Sequence, residues 1–224
     1  APVPAQAARK AATRHGSHQM YNFPLTEKDI TCDDGVTMCL QYSTQWDSLA
    51  HWGRMFDVDG SGKDVPVYYN GYRAGVATID ADHGGPRADR VGIESMAMTC
   101  VQGRGVLVDL VRAFGTGRTS VNLAMLRQAM DAQGVEVRKG DFLLLYTGYG
   151  DALMRFAKQP DEAVLHQTGA VLDGSDDALL DWIEDSGVVA LCADNQAVEG
   201  FSADLKAGPN GLLPPHERCL FKLG

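Results

Sequence analysis

The sequence predicts an α/β domain, chiefly because strand-like and helix-like segments alternate through its second half. Short apolar runs typical of buried strands are separated by amphipathic segments that carry helix start and stop signals. The chain of 224 residues is long enough for one sizeable domain. Its hydrophobic fraction of 45% and charged fraction of 22% are ordinary for a globular protein.

Two regions of the first half are predicted to be irregular. Residues 1–34 are predicted to form an N-terminal arm or lead-in, and residues 35–224 the domain itself. The domain opens on a β-prone run at 36–40, and residues 57–90, rich in Gly, Asp and Pro, are predicted to form a long loop.

The second half supplies the regular elements. Apolar runs predict strands over 105–111, 141–148 and 188–195. Helical spacing of apolar residues predicts a helix over 120–134, with Ser120 as its cap and Gly134 as its stop. A second helix is predicted over 176–187, where acidic residues open the segment and a glycine closes it.

Charge and composition exclude several classes of partner. The formal net charge is -9, and no run of clustered Lys and Arg is present, so we expect no nucleic-acid binding. No apolar run approaches the roughly 20 residues that cross a bilayer, and the N-terminal stretch lacks the apolar core of a signal peptide. Five cysteines without a CxxC pair favour reduced thiols, so we expect a cytoplasmic protein without membrane contact.

The strand-like runs share one feature at their ends. Asp109, Thr147 and Asp194 each follow an apolar run directly. Functional sites of α/β proteins form where strands end. Turns at strand ends are polar in any case, and the sequence alone does not separate the two explanations.

The stretch QYSTQWDSLAHWG, residues 41–53, concentrates metal-ligating chemistry. Gln41, Gln45, Asp47 and His51 offer amide oxygens, a carboxylate and an imidazole, which Zn²⁺ and Mn²⁺ accept. A straight strand would place residues 41 and 51 about 33 Å apart. Convergence on one ion therefore requires a change of shape, from strand through turn into helix. The alternative is a polar strand edge flanked by two core-packing tryptophans.

Several segments together resemble a known family of metal-dependent hydrolases, the cyclases, which include bacterial kynurenine formamidases, isatin hydrolases and trans-dienelactone hydrolases. The usual motif is H-x-G-T-H-x-D-x-P-x-H. The chain matches it at Thr44, Asp47 and His51 and departs from it at Gln41, Ser43, Gln45 and Leu49. A branch of the family, similar to the dienelactone hydrolases, carries S-T-Q-W-D at this place.

Further segments resemble the family in the same order along the chain. They are GIESMAMTCVQGRGVLVDL at 92–110, FLLLYTGY at 142–149, ALCADNQAVEG at 190–200 and HERCL at 216–220. The last one matches a helix, H-x-x-L-L, that supplies another active-site histidine. In the family a metal-site glutamate lies several residues beyond that histidine. This sequence stops at Gly224 without it, so either the chain is truncated at its C-terminus, which we expect, or the site is incomplete.

The resemblance implies a swivelling β/β/α single domain and hydrolysis of a small lactone or amide. It implies one divalent metal, Zn or Mn, held by Gln41, Gln45 and Asp47. His51 would be the general base, and His216 would orient the water or the developing oxyanion. Amides are weaker donors than imidazoles, which shifts the expected preference towards harder ions such as Mn²⁺.

The remaining expectations concern the surroundings of the site and its partners. Trp46 and Trp52 would line the substrate pocket, with core packing as the alternative for both, while Glu94 and Glu199 would lie around the metal ligands. A small-molecule substrate and a homo-oligomer, a dimer or a tetramer, are expected from the family. Two other functions stay open: an aryl formamidase acting on N-formylkynurenine, and a metal-free, non-catalytic binding member of the family.

Overall fold

A computed structural model describes residues 23–24, 26–32, 41, 44–80, 87–157, 159–200 and 211–224. The β-prone run at 36–40 and most of the predicted arm, residues 1–34, lie outside the described residues. The division of the chain into an arm over 1–34 and a domain over 35–224 stays a prediction. Within the described part, no helix is long and apolar enough to cross a membrane.

The described strands are short. In chain order they are β1 (Phe23–Pro24), β2 (Ile30–Thr31), β3 (Arg54–Phe56), β4 (Val65–Val67), β5 (Thr78–Ile79), β6 (Arg87–Ala88), β7 (Gly105–Asp109), β8 (Thr119–Val121), β9 (Phe142–Tyr146), β10 (Ala170–Leu172) and β11 (Ala190–Ala193).

The described helices lie mostly in the second half. They are α1 (Ile93–Thr99), α2 (Leu110–Phe114), α3 (Leu123–Gln133), α4 (Tyr149–Arg155), α5 (Glu162–His166), α6 (Asp177–Ser186) and α7 (Pro214–His216). Among the described residues, a 3₁₀ turn spans Tyr69–Gly71, and a π-helical segment, Glu217–Leu223, continues α7.

The centre of the fold is a parallel sheet of three strands in the order β11-β9-β7. Strands β8 and β10 form a second parallel pair. Parallel neighbours need a crossover, and helices supply it in this chain, as expected for an α/β protein. The predicted α/β class of a single domain is therefore confirmed. The run predicted as one strand over 105–111 instead turns into α2 after Asp109, because the Asp109 side chain caps that helix.

Helices α3 and α6 form where the sequence predicts helices, although one cap differs. The side chain of Asn122, rather than Ser120, accepts a hydrogen bond from the backbone N–H of Met125, and Ser120 lies in β8. Asp176 caps α6 and also accepts from the N–H of Leu123, so one carboxylate joins the starts of both helices. Gly134 ends α3 with a positive φ of 66°, as the sequence predicts.

The hydrophobic core lies between the central sheet and these two helices. Buried side chains of β7 and β9 alternate along each strand and pack against the apolar faces of α3 and α6. The fully buried members include Val108, Leu126, Leu143 and Leu179.

The predicted long loop at 57–90 has more regular structure than expected. Strand β4 lies within it and pairs antiparallel with β3, which ends just before residue 57, and β5 and β6 pair antiparallel towards its end. Each strand has only two or three residues, too few to produce a recognisable alternation in the sequence. The pairing of β3 with β4 holds the backbone that directly follows residues 41–53.

Candidate metal centre

The 44–53 segment changes direction by a tight turn. The backbone N–H of His51 donates to the carbonyl of Ser48 at 2.9 Å, and the hydroxyl of Ser48 accepts from the N–H of Ala50 at 3.2 Å. This turn folds His51 back beside Asp47. The predicted change of shape is confirmed, but the predicted helix after the turn is wrong, because β3 begins at Arg54 and pairs with β4.

Three side chains converge beside this turn: Asp47, His51 and His216 each bring one ligand atom within 4.8 Å of the others. His51 Nδ1 lies 3.6 Å from one oxygen of Asp47, and His216 Nε2 lies 3.6 Å from the other. Both distances exceed those of hydrogen bonds. Two imidazoles and a carboxylate are ligands of Zn²⁺ and Mn²⁺, and such ligands lie about 2.0–2.2 Å from zinc. The donor set and its spacing therefore fit a divalent ion.

Glu199 orients His216. Its Oε1 accepts from the backbone N–H of His216 at 3.0 Å and from the ring Nδ1 at 2.6 Å. In the neutral tautomer that donates from Nδ1, the lone pair lies on Nε2, and Nε2 is the atom that faces Asp47. Burial raises the pKa of Glu199, while its hydrogen bond with His216 acts in the opposite direction. The expected position of Glu199 around the metal ligands thus agrees with its contacts.

A strained loop after β11 places Glu199. The buried side chain of Asn195 donates to the carbonyl of Ala170 at 3.0 Å and accepts from the N–H of Val198 at 2.8 Å. Val198 has a φ of 61°, a conformation that is unfavourable for a β-branched residue. The next residue is Glu199, so the Asn195 bonds hold the backbone that directs its carboxylate. Asn195 and Asp194 form the polar cluster at the end of the strand predicted over 188–195, where the sequence left a functional site and a turn equally open.

A partly buried ion pair joins the two segments that carry the triad. Arg54, three residues beyond His51, pairs with Glu217, which directly follows His216. Lys222 also approaches Glu217, at 3.1 Å. Glu217 is 1% exposed, so its charge is offset by these cations rather than by water. The pair was missed because 163 residues separate its partners and neither lies in a recognisable motif.

The two glutamines have different contacts. The amide nitrogen of Gln45 lies 2.8 Å from Asp47 Oδ1 and 3.2 Å from His51 Nδ1, so Gln45 links two members of the triad. The amide nitrogen of Gln41 donates to the carbonyl of Gln196 at 2.7 Å. Gln45 thus lies at the centre of the cluster. Whether either amide ligates a metal stays a prediction.

The two tryptophans and Glu94 lie at different distances from this centre. The Trp52 ring packs beside His216, with 5.4 Å between ring centroids, whereas Trp46 makes an edge contact with Phe142 and is 53% exposed. Glu94 is exposed in the first turn of α1. Of these three, Trp52 is the one for which a contact with the triad is described.

Comparison with known proteins shows the family of this chain. A family model described as "Putative cyclase" matches residues 8–200. The chain belongs to this cyclase family. A solved structure described as the crystal structure of a novel cyclase is similar, with 29% sequence identity and a TM-score of 0.61. The similarity covers 89% of this chain and 58% of that chain, so this chain spans little more than half of that cyclase's length. No curated protein matches the chain.

Membership of the cyclase family confirms the resemblance seen in the sequence and supports an enzyme. The triad lies partly outside the matched residues, because His216 follows residue 200. Its convergence with Asp47 and His51 is therefore an observation from the fold, independent of the family match.

Proposed function

We propose that this chain catalyses the metal-dependent hydrolysis of a small cyclic ester or an amide, with water as the attacking group. The observation that carries the proposal is the convergence of Asp47, His51 and His216, whose ligand atoms lie within 4.8 Å of one another. Membership of the cyclase family supports an enzyme at this centre.

Asp47, His51 and His216 would hold one divalent ion, Zn²⁺ or Mn²⁺, since nitrogen and carboxylate donors suit both. When bound, the ion supplies polarisation of the substrate carbonyl and a lowered pKa for a bound water. Gln41 and Gln45 stay candidates for further ligands through their amide oxygens. The nearness of Gln45 to Asp47 and His51 supports it above Gln41.

The surrounding side chains support this function by holding the ligands in place. Glu199 keeps the Nε2 of His216 directed at Asp47, and Gln45 restrains Asp47 together with His51. Trp52 provides an aromatic surface beside His216 against which a ring substrate would pack. Trp46, with its half-exposed ring, is a further candidate for substrate contact.

His51 has two candidate roles that one experiment separates. The spacing of the triad supports a ligand role, whereas the family resemblance implies a general base. If His51 is a ligand, His51→Ala lowers metal content and turnover together. If it is a base, the variant retains the metal and loses turnover.

Metal content of the purified chain, measured by plasma mass spectrometry without added metal, tests the proposal. We expect near-stoichiometric Zn or Mn, and we expect Asp47→Ala to lose both the metal and turnover. Absence of metal, with none taken up on dialysis against Zn²⁺ or Mn²⁺, would contradict it. A metal-free binding member of the family would then be the better description.

A substrate panel assayed on the metal-loaded chain identifies the bond that is cleaved. Small lactones and cyclic amides form one group, and N-formylkynurenine represents the aryl formamidases. We expect turnover of the first group, because amides replace two imidazoles of the motif usual in formamidases. Exclusive turnover of N-formylkynurenine would show that the aryl formamidase assignment is the right one.

A further inference from the structure

Gly174 lies in the turn between β10 and α6, next to the groups that place His216. A Cβ atom at position 174 would lie only 2.8 Å from Glu199 Oε2. It would also lie 2.9 Å from the Cδ of Pro215 and 3.1 Å from the Cδ of Pro214. Non-bonded carbon atoms are normally about 3.5–4.0 Å apart. The space that a side chain at 174 needs is therefore already filled by a carboxylate and two proline rings.

The backbone conformation at 174 does not require glycine. The φ angle of Gly174 lies outside the left-handed region, whereas Gly134 and Gly187, which end α3 and α6, lie within it. Alanine can therefore adopt the same backbone conformation at 174. The property that this position uses is the absence of a side chain.

Hydrogen bonds hold the backbone on both sides of this contact. In the turn, the N–H of Asp173 donates to the carbonyl of Val121 at 2.9 Å. In the loop that carries Glu199, the N–H of Gly200 donates to the carbonyl of Leu172 at 3.1 Å, which joins this loop to β10. A side chain at 174 would therefore have to displace the carboxylate or the proline rings rather than the backbone.

Displacement of either group would disturb His216. Glu199 Oε1 accepts from the backbone N–H and the ring Nδ1 of His216, and the two prolines open α7, which ends at His216. Glu199 Oε2 is buried and has no hydrogen-bond partner in the described structure. Oε1 is thus the oxygen by which this carboxylate is held. A group that pushes on Oε2 acts directly on the bonds that orient the imidazole.

We propose that Gly174 is a positioning residue of the Asp47–His51–His216 centre, because it leaves the room in which the Glu199 carboxylate orients His216. A methyl group at 174 would move the carboxylate away from Nδ1, and the imidazole would then populate both neutral tautomers. The expected effect on metal binding rests on the proposed function. The expected effect on the His216 ring is a property of the chain without metal.

Long-range proton–nitrogen NMR of the metal-free chain, at a pH at which imidazoles are neutral, tests the role of Gly174. The signals of the His216 ring are identified by their loss in His216→Gln. We expect the unaltered chain to show a proton on Nδ1 and none on Nε2. In Gly174→Ala we expect both nitrogen signals to shift towards the averaged values of exchanging tautomers. Unchanged signals of the His216 ring in folded Gly174→Ala would overturn the proposal.

Gly117→Ala is the matched control for this experiment. A Cβ atom at position 117 would meet no atom within 4 Å, and the φ angle of Gly117 also lies outside the left-handed region. We expect Gly117→Ala to leave the His216 signals unchanged. A shift in Gly117→Ala equal to that in Gly174→Ala would contradict a specific role for position 174.

Zinc competition titrations extend the test to the metal centre. We expect Gly174→Ala to weaken Zn²⁺ binding about 10–100-fold and Gly117→Ala to leave it unchanged. In a chain that already carries Glu199→Ala, Gly174→Ala should weaken Zn²⁺ binding by less than about threefold, since no carboxylate remains to be displaced. Equal affinities of the unaltered chain and Gly174→Ala would overturn the proposal, and so would full additivity of the two substitutions. Absence of Zn²⁺ binding by the unaltered chain would contradict the proposed function instead, and the His216 signals would still decide the role of Gly174.

The double variant Gly174→Ala, Glu199→Ala retains the test if Gly174→Ala alone does not fold, as judged by circular dichroism. We expect removal of the carboxylate to give the proline rings room to shift and so to restore the fold. A double variant that stays unfolded would overturn the proposal, because the crowding at 174 would then not concern Glu199.

Discussion

Asp194 and Asp47 have the same side chain but different contacts, and the difference distinguishes a carboxylate that stabilises the fold from a candidate metal ligand. Asp194 accepts bonds at 2.7 Å from both the N–H and the hydroxyl of Thr147, and a third at 3.0 Å from the N–H of Gly150. Asp47 accepts one amide bond, from Gln45, and its other neighbours are imidazole nitrogens at 3.6 Å. The carboxylate of Asp194 is therefore occupied by two backbone N–H groups and one hydroxyl, whereas the carboxylate of Asp47 accepts one described bond and can bind an ion.

The comparison explains why polar strand ends were ambiguous in the sequence. Asp109 and Asp194 lie at the ends of β7 and β11 and both accept bonds from backbone N–H groups of the following or neighbouring turns. Turn formation therefore accounts for these two carboxylates. The candidate metal centre lies elsewhere, on the irregular 44–53 segment and at the end of α7.

The largest expected effect is at Asp47. Asp47→Asn preserves the shape of the side chain but removes the charge that a divalent ion requires. We expect metal affinity to fall by more than about 100-fold, the upper range for groups that only orient a ligand. The unfolding free energy of the metal-free chain should change little, because Asp47 makes one side-chain bond in the described structure. Metal titration and urea denaturation check the two parts. Unchanged metal affinity would contradict the assignment.

Asp194→Ala should have the opposite profile. The substitution leaves the N–H groups of Thr147 and Gly150 without their described acceptor, and we expect a loss of about 2–3 kcal/mol in unfolding free energy. Metal affinity of the folded protein should be retained. Asp151→Ala is the matched control, since in the described part of the chain the side chain of this exposed aspartate bonds only the hydroxyl of Tyr146, and we expect a change within about 0.5 kcal/mol. Urea denaturation measures both variants. Equal losses of unfolding free energy would show that the backbone bonds of Asp194 do not make it more important for stability than the exposed Asp151.

Glu199→Gln tests a carboxylate that shares features with both the structural Asp194 and the candidate ligand Asp47. Glu199 is buried like a structural group, but its bonds go to a residue of the triad. We expect metal affinity to fall about 10–100-fold, because a neutral amide restrains the imidazole of His216 less well. Glu184→Gln, which alters an exposed partner of Arg218, is the control and should leave affinity unchanged. Metal competition titrations measure both, and an equal effect of the two variants would rule out a role for Glu199 at the centre.

Regular periodicity explains which parts of the fold the sequence could predict. The apolar runs that became β9 and β11, and the segments that became α3 and α6, carry their own pattern and end signals. Strands of two or three residues at 57–90 carry no such pattern, so they were predicted as loop. The strand ending at Asp109 was extended too far because Leu110 and Val111 are apolar in both a strand and a helix.

The candidate site was predictable to a lesser degree. The short spacing between Asp47 and His51, and the resemblance around His216, put all three triad residues among the candidates. Their mutual distances depend on contacts far apart in the chain, such as Arg54 with Glu217 and Glu199 with His216. Such contacts leave no local pattern. The same limit applies to Asn195, whose role depends on a carbonyl of β10.

The smallest expected effect is at Asn122, a neutral residue whose side-chain oxygen, like those of Asp194, accepts from the backbone. Its side-chain oxygen accepts from the N–H of Met125 at 3.0 Å at the start of α3, where the sequence favoured Ser120. Asn122→Ala should lower the unfolding free energy by about 1 kcal/mol, the usual cost of losing an N-cap. Ser120→Ala should cost less, because Ser120 lies exposed in β8 and has no described capping bond. Metal affinity should be unchanged in both variants, since neither contacts the triad. Urea denaturation measures both variants. A larger loss of unfolding free energy in Ser120→Ala than in Asn122→Ala would show that Ser120 is the cap, as the sequence predicts.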